Sequence, residues 1–240
     1  MAYKLKYDLH THTTYSHGKG SILDNVSEAN AKGLKMIGIA DHGYGHIFYG
    51  IKKEDIPNMR HDIELAKDKF PDVDVQLSVE ANIINASGML DISKEEQKDF
   101  DYIIAGYHYG VLGEKPMKAI GVCIGGYCKL FSNKTFNTDV VVKALYENDI
   151  KVLTHPGDKI LVDMDAVSKA CEDTKTIMEI NNHHNGLSVA NLEIAAKYDV
   201  DFVISSDAHL PQNVGTFEVA LNRANTVGLP FERIINLWNY

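Results

Sequence analysis

The amino-acid sequence predicts an α/β protein organised around a parallel β-sheet. Short runs of β-branched and apolar residues alternate with longer stretches of helical periodicity, which is the pattern of βα units, and seven such units are present. Several of the short runs are apolar throughout, as expected of strands that helices cover on both faces. Hydrophobic residues make up 45% of the 240-residue chain, enough to bury one barrel-sized core or two smaller cores.

The secondary structure can be placed in chain order from these patterns. Strands are predicted at residues 5–9, 36–40, 75–79, 102–106, 152–154, 176–180 and 202–205. Helices are predicted at residues 22–32, 56–70, 140–148, 164–171, 189–198 and 217–227, where apolar residues recur at three- and four-residue intervals. Gly33 and Pro71 end the first two helices. The sequence contains no Pro/Ser-rich linker and no internal repeat.

The charge balance argues against a nucleic-acid partner. The formal net charge is −9, whereas broad electrostatic attraction to nucleic acid requires a basic face. The first nine residues lack the basic and apolar segments of a signal peptide, and no window approaches the ~18 uninterrupted apolar residues of a membrane span. We therefore expect a cytoplasmic protein without membrane contact.

One long segment without clear periodicity, residues 109–137, is a candidate lid. It carries five glycines and four aromatic residues that could enclose an organic leaving group or pack the segment onto the barrel. Two of the three cysteines, Cys123 and Cys128, lie in it, and the third is Cys171. An odd number without a paired CxxC pattern indicates neither a disulfide framework nor a four-thiolate zinc site, so we expect structural thiols.

Residues of metal-ligand type directly follow the predicted strands. In parallel α/β folds the carboxyl ends of the strands build the sites, and in barrels these ends converge on one mouth. Four histidines, His46, His61, His183 and His184, lie outside this pattern. The residues at the seven strand ends are His10, His12, Asp41, His42, Glu80, Asn82, His108, His155, Asp158, Asn181, Asp207 and His209.

These side chains suit a transition metal. Histidine and carboxylate ligands favour Zn²⁺, Mn²⁺ or Fe. His10 and His12 are two residues apart, so they project to the same side of an extended strand, and the same spacing relates Asp207 to His209. An isolated HxH pair is weak support for a metal site, but ligand-type residues at all seven strand ends are not explained by core packing alone.

The motifs together resemble those of the PHP (polymerase and histidinol phosphatase) superfamily, over the whole chain from residue 1 to 240. The resemblance is to a stand-alone bacterial-type PHP-domain phosphatase. It implies a single-domain, distorted (β/α)₇ TIM-like barrel with a trinuclear metal site. The matching motifs are DLHTHTTYSHG at 8–18, ADH at 40–42, VEANI at 79–83, YH at 107–108, HPGD at 155–158 and SDAH at 206–209.

The resemblance also implies which residues hold each metal. The first metal is expected on His10, His12, Glu80 and Asp207. Glu80 bridges to a second metal held by His108 and His155, and the third is held by His17, His42 and His209. All nine positions carry acceptable ligands, and His10, His12, Glu80, Asp207 and His209 are the residues to which we assign catalysis. Three divalent Zn, Mn or Fe ions are the expected cofactors.

This metal site predicts hydrolysis of a phosphoric monoester on a small phosphorylated metabolite. Three divalent cations facing two carboxylates leave a pocket that attracts an anion despite the acidic chain. A metal-bridging hydroxide, formed because the pKa of bound water falls toward ~7, is expected to attack phosphorus in line with the leaving alkoxide. The expected acceptors of the imidazole N–H groups are Asp8, Asp41 and Asp158.

Residues that bind the substrate are less well specified by the sequence. The three arginines, Arg60, Arg223 and Arg233, lie beside none of the motifs. Candidates near the motifs are Lys19, Lys159, Asn181, His183 and His184, although the lysines also suit solvated loops. Either His183 or His184 could supply the proton for the leaving group.

Three other readings stay open. A phosphodiesterase or exonuclease activity resembles that of the PHP domains attached to bacterial replicases, and a non-catalytic metal-binding regulatory module would keep the ligands without turnover. An amidohydrolase barrel also begins with HxH, but a two-metal site would not need the trio His17, His42 and His209. The physiological substrate, the metal and the oligomeric state are not specified by the sequence.

Overall fold

A computed structural model describes residues 3–111 and 133–239 of the chain. The strands are β1 (Tyr3–Leu5), β2 (Tyr7–Thr11), β3 (Met36–Ile39), β4 (Asp74–Asn82), β5 (Tyr102–Gly106), β6 (Val152–Leu153), β7 (Ile177–Asn181), β8 (Phe202–Ser205) and β9 (Leu237–Asn239). The helices are α1 (Ile22–Ala31), α2 (Ile56–Lys69), α3 (Lys134–Glu147), α4 (Met164–Thr174), α5 (Val189–Ala195) and α6 (Glu218–Thr226).

Strands β2 to β8 form one parallel sheet in chain order. The two outer strands meet at a bridge between Thr11 and Ala208, where the His12 N–H donates to the Ala208 carbonyl at 2.8 Å. This bridge nearly closes the sheet, so the predicted single-domain (β/α)₇ barrel is confirmed. The closure lies at the carboxyl ends of the strands, among the HxH and SDAH motifs.

Local sequence signals explain where the helices begin. Ser21 caps α1 by accepting from the Asp24 N–H, while the Asp24 carboxylate accepts from the Ser21 N–H in return. Ile22, Val26 and Ala29 then fall on one buried face against the sheet. Across residues 3–111 and 133–239, the longest helices have 14 residues and none could cross a bilayer.

Two predicted strand boundaries were wrong. The first predicted strand is divided at Lys6, because β1 pairs with β9 in a separate antiparallel ribbon and only β2 enters the barrel. The third strand continues past its predicted end, so Glu80 and Asn82 lie within β4 and not after it. Their side chains follow Ser78 on the inward face, because alternate residues of a strand share a face.

The helix boundaries differ most at α3, which begins six residues earlier than predicted. Asn133 caps it by accepting from the Phe136 N–H, and its first turns are polar, so apolar periodicity did not reveal them. Residues 134–137 of the candidate lid are therefore helical. The rest of that segment from 112 to 132, with Cys123 and Cys128, lies outside the described residues, whereas Cys171 is a buried free thiol as expected.

The core has two parts on opposite faces of the sheet. The larger part packs the outward faces of the strands against the helices. The smaller part fills the barrel interior below the site and consists of Leu9, Ala40, Tyr102, Ile104, Val152 and Val203. The Tyr102 hydroxyl crosses this interior to donate to the Leu9 carbonyl at 2.9 Å. The site above therefore has a rigid apolar floor.

Gly38 in β3 leaves room for that hydroxyl. A Cβ at this position would overlap the Tyr102 hydroxyl and lie 2.8 Å from the Leu9 carbonyl oxygen. We expect Gly38→Ala to lower the free energy of unfolding by about 1–3 kcal/mol, measured by urea denaturation. In a Tyr102→Phe background, which removes the hydroxyl, the same substitution should cost less. An equal cost in both backgrounds would contradict this account of the floor.

Candidate metal centre

The barrel brings the nine predicted ligands to one mouth. Seven of them are buried, and His17 and His209 are partly exposed at the rim. A register shift between Asp8 and Thr11 in β2 turns His10 toward the interior. The carboxyl ends of β2, β3, β4, β5, β6 and β8 supply the remaining members around it. These are His12, His17, His42, Glu80, His108, His155, Asp207 and His209.

Glu80 lies at the centre of the cluster. Its Oε1 lies 3.0 Å from His155 Nε2 and 3.1 Å from His108 Nε2. Its Oε2 lies 3.0 Å from His42 Nδ1, without hydrogen-bond geometry, and 3.3 Å from His10 Nε2. His12 Nε2 lies 3.6 Å from Oε2 as well. One carboxylate thus faces five imidazole nitrogens, which suits a bridging ligand better than a set of ordinary hydrogen bonds.

A second convergence joins His10, His12 and Asp207. The Nε2 atoms of the two imidazoles face each other at 3.1 Å, and Asp207 Oδ1 lies 3.1 Å from His12 Nε2. One potential ligand atom from each residue falls within 4.8 Å of the others. His42, Glu80 and His108 form another group by the same measure. These distances are those of side chains that could share a cation.

The third group lies toward the opening. The ring centroids of His17 and His209 are 4.1 Å apart, and His17 stacks on His42 at 4.8 Å. The predicted trio is therefore adjacent. The set of ligand atoms within 4.8 Å, however, contains His12 in place of His209, whose Nδ1 lies 2.8 Å from the Asp207 carbonyl oxygen.

Buried ring nitrogens without partners support a metal in this pocket. In the described part of the chain, Nδ1 of His12 and Nδ1 of His17 are sealed from solvent and accept or donate no hydrogen bond. Buried polar atoms are rarely left in that state, because the lost hydration is not replaced. Nitrogen and carboxylate donors of this kind fit a divalent transition metal.

The electrostatics keep several imidazoles in the form that binds metals. Burial lowers the pKa of His12 well below its usual value. Burial, with the neighbouring His209, lowers the pKa of His17 to about 3, and burial lowers that of His108 to about 4. Neutral imidazole is the form with a free lone pair, so these rings are ready for a cation at neutral pH.

The two carboxylates are held ionised by the same surroundings. Burial alone would raise the pKa of Glu80, but His108, His10 and His42 lower it well below the usual value. Burial likewise opposes ionisation of Asp207, and His10 outweighs it so that the pKa falls well below normal. Both side chains therefore offer charged oxygens to a cation.

Glu179, which the sequence reading missed, orients the first imidazole. Its Oε1 lies 2.8 Å from His10 Nδ1, and its Oε2 accepts from the His155 N–H at 2.8 Å and from Asn181 Nδ2 at 2.9 Å. The side chain is fully buried on the inward face of β7. A carboxylate inside an otherwise apolar strand, two residues before Asn181, was the signal that could have found it. His10 is thereby fixed with Nε2 toward Glu80.

We expect Glu179→Gln to weaken metal binding by about 10- to 100-fold, because the ring of His10 loses its charged acceptor. Competition with a chromophoric chelator measures this affinity, and far-UV circular dichroism checks the fold. Glu193→Gln, at an exposed position of α5, is the matched control and should bind metal as wild type does. Unchanged affinity in Glu179→Gln would show that His10 does not depend on this contact.

Asn82 plays the corresponding part for His108. Its Oδ1 lies 2.7 Å from His108 Nδ1, which leaves Nε2 facing Glu80. Asp91 fixes Asn82 in turn by accepting from its backbone N–H at 2.8 Å. Burial raises the pKa of Asp91 to about 6. Asn82, predicted at a strand end, thus orients the proposed ligand His108 and is not itself one of the nine.

The predictions that Asp8 and Asp41 orient imidazoles were wrong. Asp8 accepts from the Ser206 N–H at 3.1 Å, from the Ser206 hydroxyl and from the Gly215 N–H at 2.8 Å, so it ties the last strand-end loop to β2. Asp41 accepts from the Thr13 N–H at 2.7 Å and from its hydroxyl at 2.6 Å. Both carboxylates are used by backbone N–H and hydroxyl donors, and neither accepts a hydrogen bond from an imidazole ring. They therefore fix backbone turns.

Asp158 does contact an imidazole, but not one of the nine. Its Oδ2 lies 3.2 Å from His184 Nδ1 and 2.6 Å from Lys159 Nζ. These two partners outweigh burial and hold the pKa of Asp158 well below its usual value. His184 Nε2 on the other ring edge lies 3.5 Å from Asp207 Oδ2. His184 therefore connects the wall of the pocket to the cluster.

A cavity of about 1060 Å³ opens above the cluster. Of the residues predicted to bind substrate, Lys159, His183 and His184 line it. Asn181 is buried, and its amide group is used by Glu179 and Asp207 and by two backbone N–H groups. Lys19 is exposed outside the cavity wall. The other wall, which the sequence reading did not identify, includes His46, Phe48 and Tyr49.

The three arginines are used away from the cavity. Arg60 pairs with Asp101 at 2.9 Å, and Arg233 donates to backbone carbonyls near Val200. Arg223 donates to the His184 carbonyl at 3.0 Å and so shapes the loop after β7. In the described part of the chain, no guanidinium lines the cavity.

The chain is similar to proteins of known family. The model of the PHP domain matches residues 8–183. A probable phosphatase of Clostridium acetobutylicum is 29% identical over 251 residues, covering 97% of this chain and 91% of that protein. The probable phosphatase YcdX of Shigella flexneri is 29% identical over 242 residues, covering 96% of this chain and 89% of that protein.

A solved structure has the same fold. Histidinol phosphate phosphatase of Lactococcus lactis, in complex with zinc, L-histidinol and phosphate, aligns with a TM-score of 0.58 and covers 92% of both chains. At 14% identity, this similarity indicates a shared fold and nothing more. The family match and the phosphatase relatives confirm the predicted enzyme class, a metal-dependent phosphoesterase. The chain belongs to the PHP domain family.

Proposed function

We propose that this protein hydrolyses phosphoric monoesters of small phosphorylated metabolites with three divalent transition metals, Zn, Mn or Fe. One observation carries the proposal. Nine histidine and carboxylate side chains converge at the base of an open cavity of about 1060 Å³, with Glu80 contacting imidazoles on both sides. The cavity has room for a metabolite and the cluster has more donor atoms than one cation would use.

The ligand assignment follows the three groups of side chains. The contacts around Glu80 support it as a bridge between two cations, one shared with His10 and His12 and one with His108 and His155. Asp207 completes the first set. His17, His42 and His209 surround the third, and their ring contacts support this assignment.

When bound, the cations would polarise the phosphoryl oxygens and lower the pKa of water to generate a nucleophile. The protein's own residues hold the arrangement. Glu179 and Asn82 fix the rings of His10 and His108, so the donors stay aimed at the reacting group without rearrangement. His184 lies between Asp158, at 3.2 Å from its Nδ1, and Asp207, at 3.5 Å from its Nε2, and this place beside the cluster suits proton transfer to the leaving oxygen.

An aryl phosphate, the matching aryl diester and an aryl amide, each offered to the metal-loaded protein, test this proposal. We expect turnover of the monoester and little of the other two. Faster hydrolysis of the diester would favour a phosphodiesterase, and hydrolysis of the amide alone would favour an amidohydrolase. Inactivity on all three at full metal loading would favour a regulatory metal-binding module. A library of phosphorylated metabolites then identifies the substrate.

A further inference from the structure

His46 lines the cavity but is not one of the nine proposed ligands. It follows β3 in the loop after His42, and its ring stacks on that of His42 with centroids 5.0 Å apart and planes inclined by 25°. The loop is fixed in place, because the Ile47 N–H donates to the Gly110 carbonyl at 2.9 Å. His46 is therefore held beside the cluster by the backbone.

The loop also sets which nitrogen of His46 carries the proton. The N–H groups of Tyr49 and Phe48 both point at His46 Nδ1, at 3.2 Å and 3.4 Å. Because both partners are donors, Nδ1 must accept, and a neutral imidazole then has its hydrogen on Nε2. A metal ligand needs a free lone pair, which neither nitrogen of this ring offers. His46 thus differs from His42 although the two rings are in contact.

The Nε2–H of His46 has no hydrogen-bond partner within residues 3–111 and 133–239. A few polar groups on the wall of a binding cavity fix the orientation of its ligand, so donors beside the cations would orient a phosphate there. The three arginines are bound elsewhere, and the lysine on the cavity wall, Lys159, lies 2.6 Å from a carboxylate oxygen of Asp158. Among the described residues that line the cavity, His46 offers a donor whose orientation the backbone fixes.

We propose that His46 is a substrate-binding residue whose Nε2–H donates to a phosphoryl oxygen, and that it does not bind metal. The assignment deepens the proposed function and rests on it for the identity of the anion. It makes the loop of residues 46–49 a preformed phosphate contact, with Phe48 and Tyr49 fixing the tautomer through their backbone.

Two substitutions distinguish the roles of the two ring nitrogens of His46. In His46→Asn, the amide oxygen takes the place of Nδ1 and keeps the acceptor for the loop, but the donor at Nε2 is lost. In His46→Gln, the amide nitrogen takes the place of Nε2 and restores the donor. The measurements are metal content, the affinity of the metal-loaded protein for inorganic phosphate by calorimetry, and KM and kcat for an aryl phosphate.

We expect His46→Asn to keep the metal content of wild type and to raise both the Kd for phosphate and KM by about tenfold or more, since the lost hydrogen bond was to a charged group. His46→Gln should stay within about threefold of wild type. The change should be larger in KM than in kcat. A loss of the loop contact alone would affect His46→Gln, which lacks the acceptor at Nδ1, more than His46→Asn.

Several results would overturn the assignment. Loss of metal in His46→Asn would make the residue a ligand. A defect in His46→Gln that equals or exceeds the defect in His46→Asn would reduce the residue to a support for the loop. Unchanged phosphate affinity in His46→Asn would remove it from the substrate site. If wild type turns over no phosphate ester, the proposed function fails, but phosphate calorimetry still decides the role of His46, and absence of phosphate binding overturns that role too.

Discussion

Replacing Glu80 by glutamine is expected to lower kcat/KM for an aryl phosphate by about a thousandfold or more, because each 1.4 kcal/mol of lost transition-state stabilisation is tenfold and a displaced Lewis acid accounts for several. Glu80 is the carboxylate that faces imidazoles on both sides of the cluster. Its amide analogue keeps the shape but loses the charge and one acceptor oxygen. The expected accompanying result is reduced metal content.

Glu64→Gln is the control for this experiment. Glu64 lies on α2 with 70% of its side chain exposed and pairs with Lys67 on the surface. It should retain wild-type activity and metal content. If Glu80→Gln kept both properties as well, the carboxylate would not be a bridge, and the assignment of the first two metals would be wrong.

Removal of the metals with a chelator is expected to abolish hydrolysis and to lower Tm by about 10 °C. A ligand present at 1,000 times its Kd stabilises the folded state by roughly 4 kcal/mol, and for a chain of this size each kcal/mol shifts Tm by roughly 2–4 °C. The structure gives the physical reason for the destabilisation. Without a cation, the buried Nδ1 atoms of His12 and His17 have no hydrogen-bond partner.

Differential scanning calorimetry with and without chelator measures the shift, and adding back Zn²⁺ or Mn²⁺ after removal of the chelator should restore both Tm and activity. Far-UV circular dichroism of the metal-free protein should show no loss of helix below the transition. Full activity in protein shown to be free of metal would contradict the proposed chemistry outright.

The position of the site could be predicted because parallel strands constrain it. Once seven βα units are recognised, the carboxyl ends of the strands must share one mouth, and the residues that follow them must meet there. His10 and Asp207 lie far apart in the chain yet approach to 3.6 Å between Nε2 and Oδ1. Spacing along the sequence alone would not have suggested this contact, but the topology did.

The supporting residues could not be predicted in the same way. Glu179 contacts His10 across 169 residues, and it lies inside a strand whose apolar pattern hid it. Asp8 is next to the HxH motif in sequence, yet its partner Ser206 is 198 residues away, just after β8, the strand that meets β2 where the barrel nearly closes. The acceptor of an imidazole N–H depends on the directions of the side chains in three dimensions. Proximity in the sequence does not determine these directions.

The short β1–β9 ribbon and the conformation of the loops also could not be predicted from the sequence. The pairing of β1 with β9 involves three residues in each strand, too few for a periodic signal. The tautomer of His46 depends on two backbone N–H groups of its own loop, which no residue pattern specifies. In both cases the outcome is determined by backbone geometry and not by side-chain type.

Titration of metal-free protein with a divalent transition metal, with aryl phosphate hydrolysis followed at each step, tests the central claim most directly. The three-metal account predicts no activity without metal and a rate that rises until about three equivalents are bound, since the proposed ligands form three groups. Activity in the absence of metal, or a rate that is complete at the first equivalent, would contradict it.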